Sequence, residues 1–86
     1  MAEYRIVLAR STERDLRNLQ RVLQLRLIKV IDTLATHPRP VGVKKLRGTR
    51  DLWRIRVGDY RVIYRIDDRE QLIDVTHVRH RKEAYE

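Results

Sequence analysis

Several features are missing from this sequence, beginning with cysteine. Without cysteine the chain can form neither a disulfide bond nor a thiolate metal site. No apolar run approaches the roughly 20 residues that cross a membrane, and no hydrophobic stretch typical of a signal peptide follows Met1. Internal repeats, low-complexity tracts and linkers are absent as well. We therefore expect one small domain, residues 1–86, that is cytoplasmic and has no membrane partner.

Acidic residues are also few when they are compared with basic ones. The 86 residues include 20 Lys and Arg against 12 Asp and Glu, which gives a formal net charge of +8. A surplus of this kind suggests a nucleic acid, an acidic protein or an anionic surface as the partner. The chain is long enough for a single modest core.

Residues 52–66 have the pattern of a β-hairpin. Two runs of β-branched and aromatic residues alternate with arginines, and Gly58-Asp59 separates them. Gly in the first position of a two-residue turn tolerates the positive φ that the primed turns require. Because side chains alternate between faces, one face would be apolar, formed by Trp53, Ile55, Val57, Tyr60, Val62 and Tyr64. The other face would carry Leu52, Ile63 and the arginines Arg54, Arg56, Arg61 and Arg65.

In this register Arg56 lies directly opposite Arg61. Like charges in opposed positions destabilise a sheet by roughly 0.2–1 kcal/mol. The hairpin alone leaves two interpretations open, a solvated charged face and a face that binds a polyanion. The opposition of two arginines is easier to explain if a polyanion lies against them.

A helical region precedes the hairpin. Ser11 and Thr12 are candidate N-caps, and apolar residues then recur in steps of three and four as far as Leu34. About 25 residues is long for one helix in so small a domain, so we expect a break near Gln20-Arg21 and a helical hairpin. Three apolar residues fall outside the main stripe, namely Val22, Leu25 and Ile28. Either both sides of the second helix are buried, or these residues form a hydrophobic groove that binds a partner helix.

Further strands are predicted on both sides of these elements. Residues 3–8, 41–48 and 71–78 have strand-like composition, and the tail from Arg79 is expected to form a short helical turn. The order of helices and strands along the chain predicts an α+β fold, in which an N-terminal helical hairpin packs on one face of an antiparallel β-sheet of four to five strands. The arginine face of the sheet should remain open.

Nine basic residues are candidates for this open surface. They are Lys44, Lys45, Arg47, Arg54, Arg56, Arg61, Arg65, Arg79 and Arg81. Guanidinium groups clamp phosphates and can stabilise the charge that a phosphodiester gains in its pentavalent state. RNA needs no metal for cleavage if its own 2′-OH attacks, and no carboxylate cluster for Mg²⁺ is predicted on this face. We therefore expect neither a metal nor another cofactor. Asp74 should pair with Arg54 or Arg65.

Two histidines and a tyrosine near the end of the chain are candidates for other roles. At strand spacing His77 and His80 point to opposite faces. His77 would share a face with Ile73 and Val75 and serve the structure, whereas His80 could reach the basic face and exchange protons. Tyr85 could stack on a base or anchor the tail.

Three motifs carry a resemblance to a known family. Residues 44–48 (KKLRG), 53–64 (WRIRVGDYRVIY) and 77–85 (HVRHRKEAY) resemble the RelE/ParE toxin superfamily, and so does the order of the elements. The resemblance covers essentially the whole chain. It implies the toxin half of a type II toxin–antitoxin pair.

In the RelE branch the implied activity is metal-independent cleavage of mRNA in the ribosomal A site. By motif match the functional positions of that branch fall on Arg54, Arg56, Arg61, Arg81 and Tyr85. Because Arg cannot readily release a proton, the identity of the general base is left open. His80 or Tyr85 could fill this role, or catalysis could be mainly electrostatic. The implied partners are a cognate antitoxin that is acidic or partly disordered, the ribosome with its mRNA, and operator DNA only through the toxin–antitoxin complex.

Two alternatives to this function stay open at the level of sequence. The ParE branch shares the fold and inhibits DNA gyrase. A basic module that binds nucleic acid without catalysis is the third possibility. The basic hairpin and the terminal motif of His80, Arg81 and Tyr85 favour the RelE branch.

Overall fold

The computed structural model describes residues 3–49 and 51–82. Within these ranges the chain forms two α-helices and five β-strands. In chain order they are β1 (Arg5–Leu8), α1 (Arg10–Arg17), α2 (Arg21–Thr33), β2 (Lys44–Lys45), β3 (Leu52–Val57), β4 (Tyr60–Asp67) and β5 (Leu72–His80). The predicted α+β architecture is confirmed.

The five strands form one sheet in the order β1-β5-β4-β3-β2. The β2–β3, β3–β4 and β4–β5 pairs are antiparallel, as predicted. Strand β1 instead runs parallel to β5 at one edge, with Arg5 opposite Leu72 and Leu8 opposite Val75. This parallel pair is possible because the helices and the rest of the sheet lie between the two strands in sequence, which supplies the long crossover that parallel pairing requires.

The predicted hairpin is confirmed residue by residue. Trp53 is paired with Tyr64, Ile55 with Val62, and Val57 with Tyr60. Gly58 in the turn has φ of +61°, a left-handed conformation that favours glycine. Arg56 is paired directly with Arg61, so the opposition of like charges inferred from the sequence is present in the fold.

The break between the helices lies at residues 18–20, where it was predicted, but the N-cap prediction was wrong. The N-cap of α1 is Ala9, and no side chain caps this end of the helix. The Ser11 hydroxyl donates to the Thr76 carbonyl at 2.7 Å, and the buried Thr12 hydroxyl donates to the Val75 carbonyl at 2.6 Å. Both hydroxyls therefore dock α1 onto β5, and this tertiary bonding replaces the local cap that the sequence suggested.

The core lies between the helices and one face of the sheet. The helices contribute Leu16, Leu27 and Ile31, and Leu34 follows them. The sheet contributes Val57, Val62, Tyr64, Ile66, Ile73, Val75 and Val78. Tyr64 is fully buried, its hydroxyl donates to the Pro38 carbonyl at 2.8 Å, and burial raises the pKa of its phenol to about 12.

Several strand boundaries differ from the predictions, most clearly those of β2 and β5. Of residues 41–48 only Lys44–Lys45 form a strand, which pairs with Arg54 and Trp53. Strand β5 begins after Gln71, whose positive φ of 52° belongs to the preceding turn. It then continues through His80, so Arg79 and His80 extend the sheet instead of forming the predicted helical turn.

Candidate nucleic-acid interface

A β-bulge at Thr76 determines which side chains of β5 reach the interface. Ile63 is paired with His77 while its neighbour Tyr64 is paired with Val75, which leaves Thr76 as an extra residue on β5. The Thr76 hydroxyl donates to the Ile63 carbonyl at 3.1 Å, and its own carbonyl accepts from Ser11. Because the bulge inserts one residue, the side chains beyond it exchange faces.

This exchange reverses the predicted placement of the two histidines. His77 is paired with Ile63, which is itself paired with Arg54, so His77 lies on the arginine side of the sheet. His80 is paired with Tyr60 on the helix side. Both placements inferred from simple alternation were therefore wrong. A bulge leaves no clear mark in the sequence, since the hydrogen bonds at this one join Thr76 to the Ser11 hydroxyl, which donates, and to the Ile63 carbonyl, which accepts.

The surface that we call the basic face consists of side chains that share this side of the sheet. It comprises Lys44, Arg54, Arg56, Arg61, Arg65, His77 and Arg79. One row crosses three neighbouring strands, with Arg56 opposite Arg61 and Arg61 opposite Arg79. The adjacent row runs from Lys44 through Arg54 and Ile63 to His77. Directly opposed residues have Cβ atoms only about 5 Å apart, so the three arginine side chains of the first row leave the backbone from a narrow strip of the sheet.

Exposure varies along the basic face. Arg56 is exposed, Arg61 and Arg79 are half-buried, and Arg54 retains only 8% of its accessible surface. The expectation of an open arginine face is therefore wrong at Arg54. A charge that is partly removed from water interacts more strongly with a phosphate than one in bulk solvent does, because less solvent screens it.

Two of the candidate arginines lie beside carboxylates. The guanidinium of Arg65 is 3.8 Å from Asp51 and 3.8 Å from Asp74, which confirms the predicted Asp74 contact. Arg81 donates its backbone N–H to the Asp59 carbonyl at 2.7 Å, and its guanidinium lies 3.9 Å from the Asp59 carboxylate. Arg65 is therefore partly neutralised, whereas the contact of Arg81 is loose and exposed.

Lys45 and Arg47 do not join the other candidates. Lys45 is paired with Trp53 and so lies on the opposite side from Lys44, with its Nζ atom 6.0 Å from the Trp53 ring centroid. The two adjacent lysines were expected on one surface, but neighbouring strand residues alternate between faces. Arg47 is exposed in the loop after β2.

Arg39, which the sequence did not single out, forms a separate cluster. Its guanidinium binds both carboxylate oxygens of Asp68, at 2.8 and 3.2 Å, and its Cζ atom lies 5.1 Å from the Trp53 ring centroid. Tyr4 donates its hydroxyl to Asp68 at 2.6 Å. The hydrogen bonds from Arg39, followed by the one from Tyr4, hold the pKa of Asp68 below its usual value. The Arg39–Asp68 contacts connect the loop after α2 to the β4–β5 turn.

His80 lies in a small cleft on the helix side of the sheet. Its ring meets the Tyr60 ring edge to face with centroids 5.2 Å apart, and its Nδ1 atom accepts the Lys82 N–H at 3.2 Å. The cleft has a volume of about 210 Å³ and is lined by Asp15, Asn18, Leu19, Tyr60, Val78 and His80. The sheet separates His80 from the basic face.

The surplus apolar residues of α2 are exposed. Val22 retains 82% of its accessible surface, Leu25 52% and Ile28 37%. The alternative in which both sides of the second helix are buried is therefore wrong, and these residues form an apolar strip on the surface. Tyr85, the remaining candidate, lies outside the described residues.

No helix in residues 3–49 or 51–82 is both long and apolar enough to cross a bilayer.

Comparisons with known proteins connect this sequence and fold to a family. The sequence model of the ParE toxin of type II toxin–antitoxin systems matches residues 6–85. The toxin RelE of Mycobacterium tuberculosis is 28% identical over 83 residues, which cover 95% of this chain and 86% of that protein.

Solved structures agree with the sequence comparison. A chain of the archaeal RelE–RelB complex from Pyrococcus horikoshii is 32% identical with a TM-score of 0.82, and the match covers 94% of this chain and 98% of that one. A chain of the RelBE2 toxin–antitoxin complex from Mycobacterium tuberculosis is 26% identical with a TM-score of 0.81, covering 91% and 98%. The resemblance drawn from the hairpin and terminal motifs is confirmed: this chain belongs to the ParE toxin family of type II toxin–antitoxin systems, within the RelE/ParE superfamily.

Proposed function

We propose that this toxin is a ribosome-dependent endoribonuclease that cleaves mRNA and thereby inhibits translation. The observation that carries the proposal is the row Arg56, Arg61 and Arg79, which crosses three strands on the side of the sheet away from the helices. Such a row costs stability unless an anion lies along it. An RNA backbone supplies phosphates at a spacing that can engage several guanidinium groups at once. The proposed place of action is the cytoplasm.

The nucleophile of the proposed reaction is supplied by the RNA itself. The 2′-oxygen of a nucleotide attacks the adjacent phosphorus and the bond from phosphorus to the 5′-oxygen breaks. Negative charge accumulates on the phosphate oxygens in the pentavalent state. Arg61 at the centre of the row would hold and stabilise this phosphate, with Arg81 beside it, because fixed guanidinium groups stabilise developing charge. Arg54 and Arg56 would position the RNA strand. Tyr85 would stack on or orient a nucleotide.

The remaining basic residues would contribute to binding. Lys44 and Arg79 lie on the basic face and would contact the RNA backbone. Arg65 would contribute less because two carboxylates accompany it. Lys45 and Arg47 lie off the basic face, so we assign them at most peripheral contacts with RNA that extends past the sheet edge.

Cleavage of mRNA on programmed ribosomes tests the proposal. Arg61→Ala should lower the single-turnover rate by about 10²–10³-fold, the range found when one stabilising donor of a transition state is removed. Arg81→Ala should also lower it. Arg69→Ala removes an exposed arginine in the β4–β5 turn and serves as the matched control that keeps the wild-type rate. Equal rates for all four proteins would contradict the assignment.

Inhibition of DNA gyrase is the second candidate, because the matching family model is described as ParE. The relatives named RelE, one by sequence and two by structure, favour the ribonuclease. Expression of the toxin separates the two functions. The ribonuclease predicts fragmented transcripts, whereas a gyrase inhibitor predicts intact transcripts with DNA damage signalling.

We further propose that a cognate antitoxin binds the apolar strip Val22, Leu25 and Ile28. The strip is exposed on α2, and the similar structures from Pyrococcus and Mycobacterium are complexes with an antitoxin. A segment that is disordered alone and carries acidic residues could cover both this strip and part of the positive surface. Operator DNA would be contacted only through the complex.

Surface binding kinetics test this docking site. Leu25→Asp should speed antitoxin dissociation, because a carboxylate is buried without a partner in the complex. Thr36→Asp introduces the same charge at an exposed position after α2 and is the control. An unchanged dissociation rate for a folded Leu25→Asp variant would place the antitoxin elsewhere.

A further inference from the structure

We propose that His77 is the general base of the cleavage reaction, an inference that rests on the proposed ribonuclease function. The β-bulge at Thr76 carries the argument, because it turns His77 from the core side of the sheet to the basic face. The chain has three histidines. His37 follows α2, His80 lies in the cleft beside Tyr60, and only His77 shares a face with Arg54, Arg61 and Arg79.

The hydrogen bonds at the bulge define which nitrogen of His77 can accept a proton. The Thr76 hydroxyl has one hydrogen and donates it to the Ile63 carbonyl at 3.1 Å. Toward the His77 Nδ1 atom, 3.3 Å away, the same oxygen can therefore only accept. Nδ1 then carries the proton in the neutral ring, and the lone pair lies on Nε2. Thr76 thus orients the imidazole in the way that a third group orients the base in catalytic triads.

The position of His77 in the sheet places it beside the proposed phosphate site. It lies two residues before Arg79 on β5 and diagonally across from Arg61 on β4. Diagonal neighbours on one face are about 7–8 Å apart at their backbones, so long side chains from these positions reach a common ligand. The charged side chains around it on this face are Lys44, Arg54, Arg61, Arg65, Asp74 and Arg79.

Arginine and lysine cannot take the base role easily on this face. A guanidinium stays protonated and has no acceptor atom, and an ordinary lysine is an ammonium at neutral pH. Asp74 is engaged with Arg65 at 3.8 Å. Imidazole, in contrast, exchanges protons near neutrality, and this is where a general base is most effective. Arg61 and Arg81 are then left to hold the phosphate, so proton transfer and charge stabilisation are carried out by residue types suited to each.

The proposed step is a transphosphorylation. Nε2 of His77 removes the proton of the 2′-OH, the 2′-oxygen forms a bond to phosphorus, and the bond from phosphorus to the 5′-oxygen breaks. A water molecule protonates the departing 5′-oxygen. The products are a 2′,3′-cyclic phosphate and a 5′-hydroxyl, and His77 returns to the neutral form by releasing its proton to solvent. The step involves no oxidation or reduction.

The pH dependence of mRNA cleavage on programmed ribosomes tests this assignment. Wild type should cleave faster as the pH rises from 5.5 to 8, because only the neutral imidazole accepts a proton. His77→Gln should cleave about 10²–10⁴-fold more slowly, which is the usual contribution of a general base. The remaining rate should lose the wild-type pH profile. His37→Gln is the matched control, with an exposed imidazole at the end of the helical region, and should retain both rate and profile.

Two further variants separate catalysis from structure. His77→Ala opens space at the site, so added imidazole should restore part of its rate, which a merely structural residue would not allow. Thr76→Ser keeps the hydroxyl and should cleave faster than Thr76→Val, which keeps only the shape. Thermal unfolding of each variant confirms that it is folded at the assay temperature.

Each outcome of this experiment has a defined meaning. If wild type leaves mRNA intact, the ribonuclease function itself fails, and the role of His77 fails with it. If wild type cleaves and His77→Gln matches it in rate and pH profile, the function stands and this inference alone is overturned. The same conclusion follows if His77→Gln is slow but retains the wild-type pH profile, or if His80→Gln abolishes that profile instead.

Discussion

The two faces of the sheet are built from alternating residues of the same strands, yet their chemistry differs sharply. Toward the helices, Val62, Tyr64 and Val75 are fully buried. On the other side, Arg61 is opposed by a second and a third arginine on its neighbouring strands. One face stabilises the fold by removing hydrocarbon from water, whereas the other places like charges side by side, which opposes folding.

This difference separates the tasks of stability and function at the level of single neighbouring residues. A core substitution should change the free energy of unfolding and leave the chemistry of each folded molecule intact. A substitution on the basic face should lower the cleavage rate and change the free energy of unfolding only slightly. The predictions below test this separation, and they run from the largest expected effect on stability to the smallest.

The helical contribution to the core gives the largest effect. Leu27 is completely buried on α2, whereas Leu25, two residues earlier, keeps 52% of its surface. Leu27→Ala should lower the free energy of unfolding by about 2–5 kcal/mol, because it removes packed hydrocarbon and leaves a cavity. Leu25→Ala is the matched control and should change it by less than about 1 kcal/mol. Urea unfolding measures both, and equal losses would show that α2 does not pack as described.

The phenol of Tyr64 gives an intermediate effect that depends on pH. Burial raises its pKa from the ordinary 10.0 to about 12, so the folded state keeps a proton that the unfolded chain releases above pH 10. The stability contributed by the neutral phenol is therefore present below pH 10 and is lost as the pH rises toward 12. A difference of two pKa units between the folded and unfolded states corresponds to a loss of roughly 2–3 kcal/mol in the free energy of unfolding over this pH range.

Comparison with Tyr64→Phe isolates this effect. At pH 8 wild type should be more stable by about 1 kcal/mol, because its hydroxyl bonds to the Pro38 carbonyl. Above pH 10 this advantage should shrink and then reverse. Urea unfolding of both proteins between pH 8 and 11 measures the difference, and a difference that does not vary with pH would contradict the burial of the phenol.

The arginine row gives the smallest effect, and its sign is opposite to that of the core substitutions. Arg56→Gln removes one of two directly opposed charges, so it should raise the free energy of unfolding by roughly 0.2–1 kcal/mol while it weakens cleavage. The gain should fall in 0.5 M salt because exposed charges are screened. Arg69→Gln, which removes an exposed turn arginine, should show no such salt-dependent gain. Destabilisation by Arg56→Gln at low salt would show that the row does not oppose folding.

The hairpin could be predicted from sequence because its information is local. Gly58-Asp59 determines the turn, and the turn determines the register of the six pairs from Leu52 with Arg65 to Val57 with Tyr60. The break between the helices followed from the length of the helical region. The spacing of apolar residues showed that Leu25 lies outside the main stripe, but it left open whether Leu25 is buried or exposed. The prediction of these features depends only on residues that are close to one another in the sequence.

The placement of His77 and His80 could not be predicted in the same way. Simple alternation along β5 holds as far as Val75, and one inserted residue then reverses it. The bulge is stabilised by Ser11 on α1 and by the Ile63 carbonyl on β4, which are distant in sequence from Thr76. The same distant contacts explain why Ser11 and Thr12 dock α1 instead of capping it. His77, which we propose as the general base, was therefore assigned to the wrong face by sequence reasoning.

Arg61 and Val62 are adjacent residues on opposite faces of the sheet. The central claim is tested most directly by measuring the cleavage rate and the free energy of unfolding for an alanine substitution at each position. Arg61→Ala should lower single-turnover mRNA cleavage by about 10²–10³-fold and change the free energy of unfolding by less than about 1 kcal/mol. Val62→Ala, at a fully buried position, should lower the free energy of unfolding by about 2 kcal/mol and leave cleavage by the folded protein unchanged. If Arg61→Ala cleaves like wild type, or if cleavage falls in proportion to stability in both variants, the basic face is not the site of the reaction.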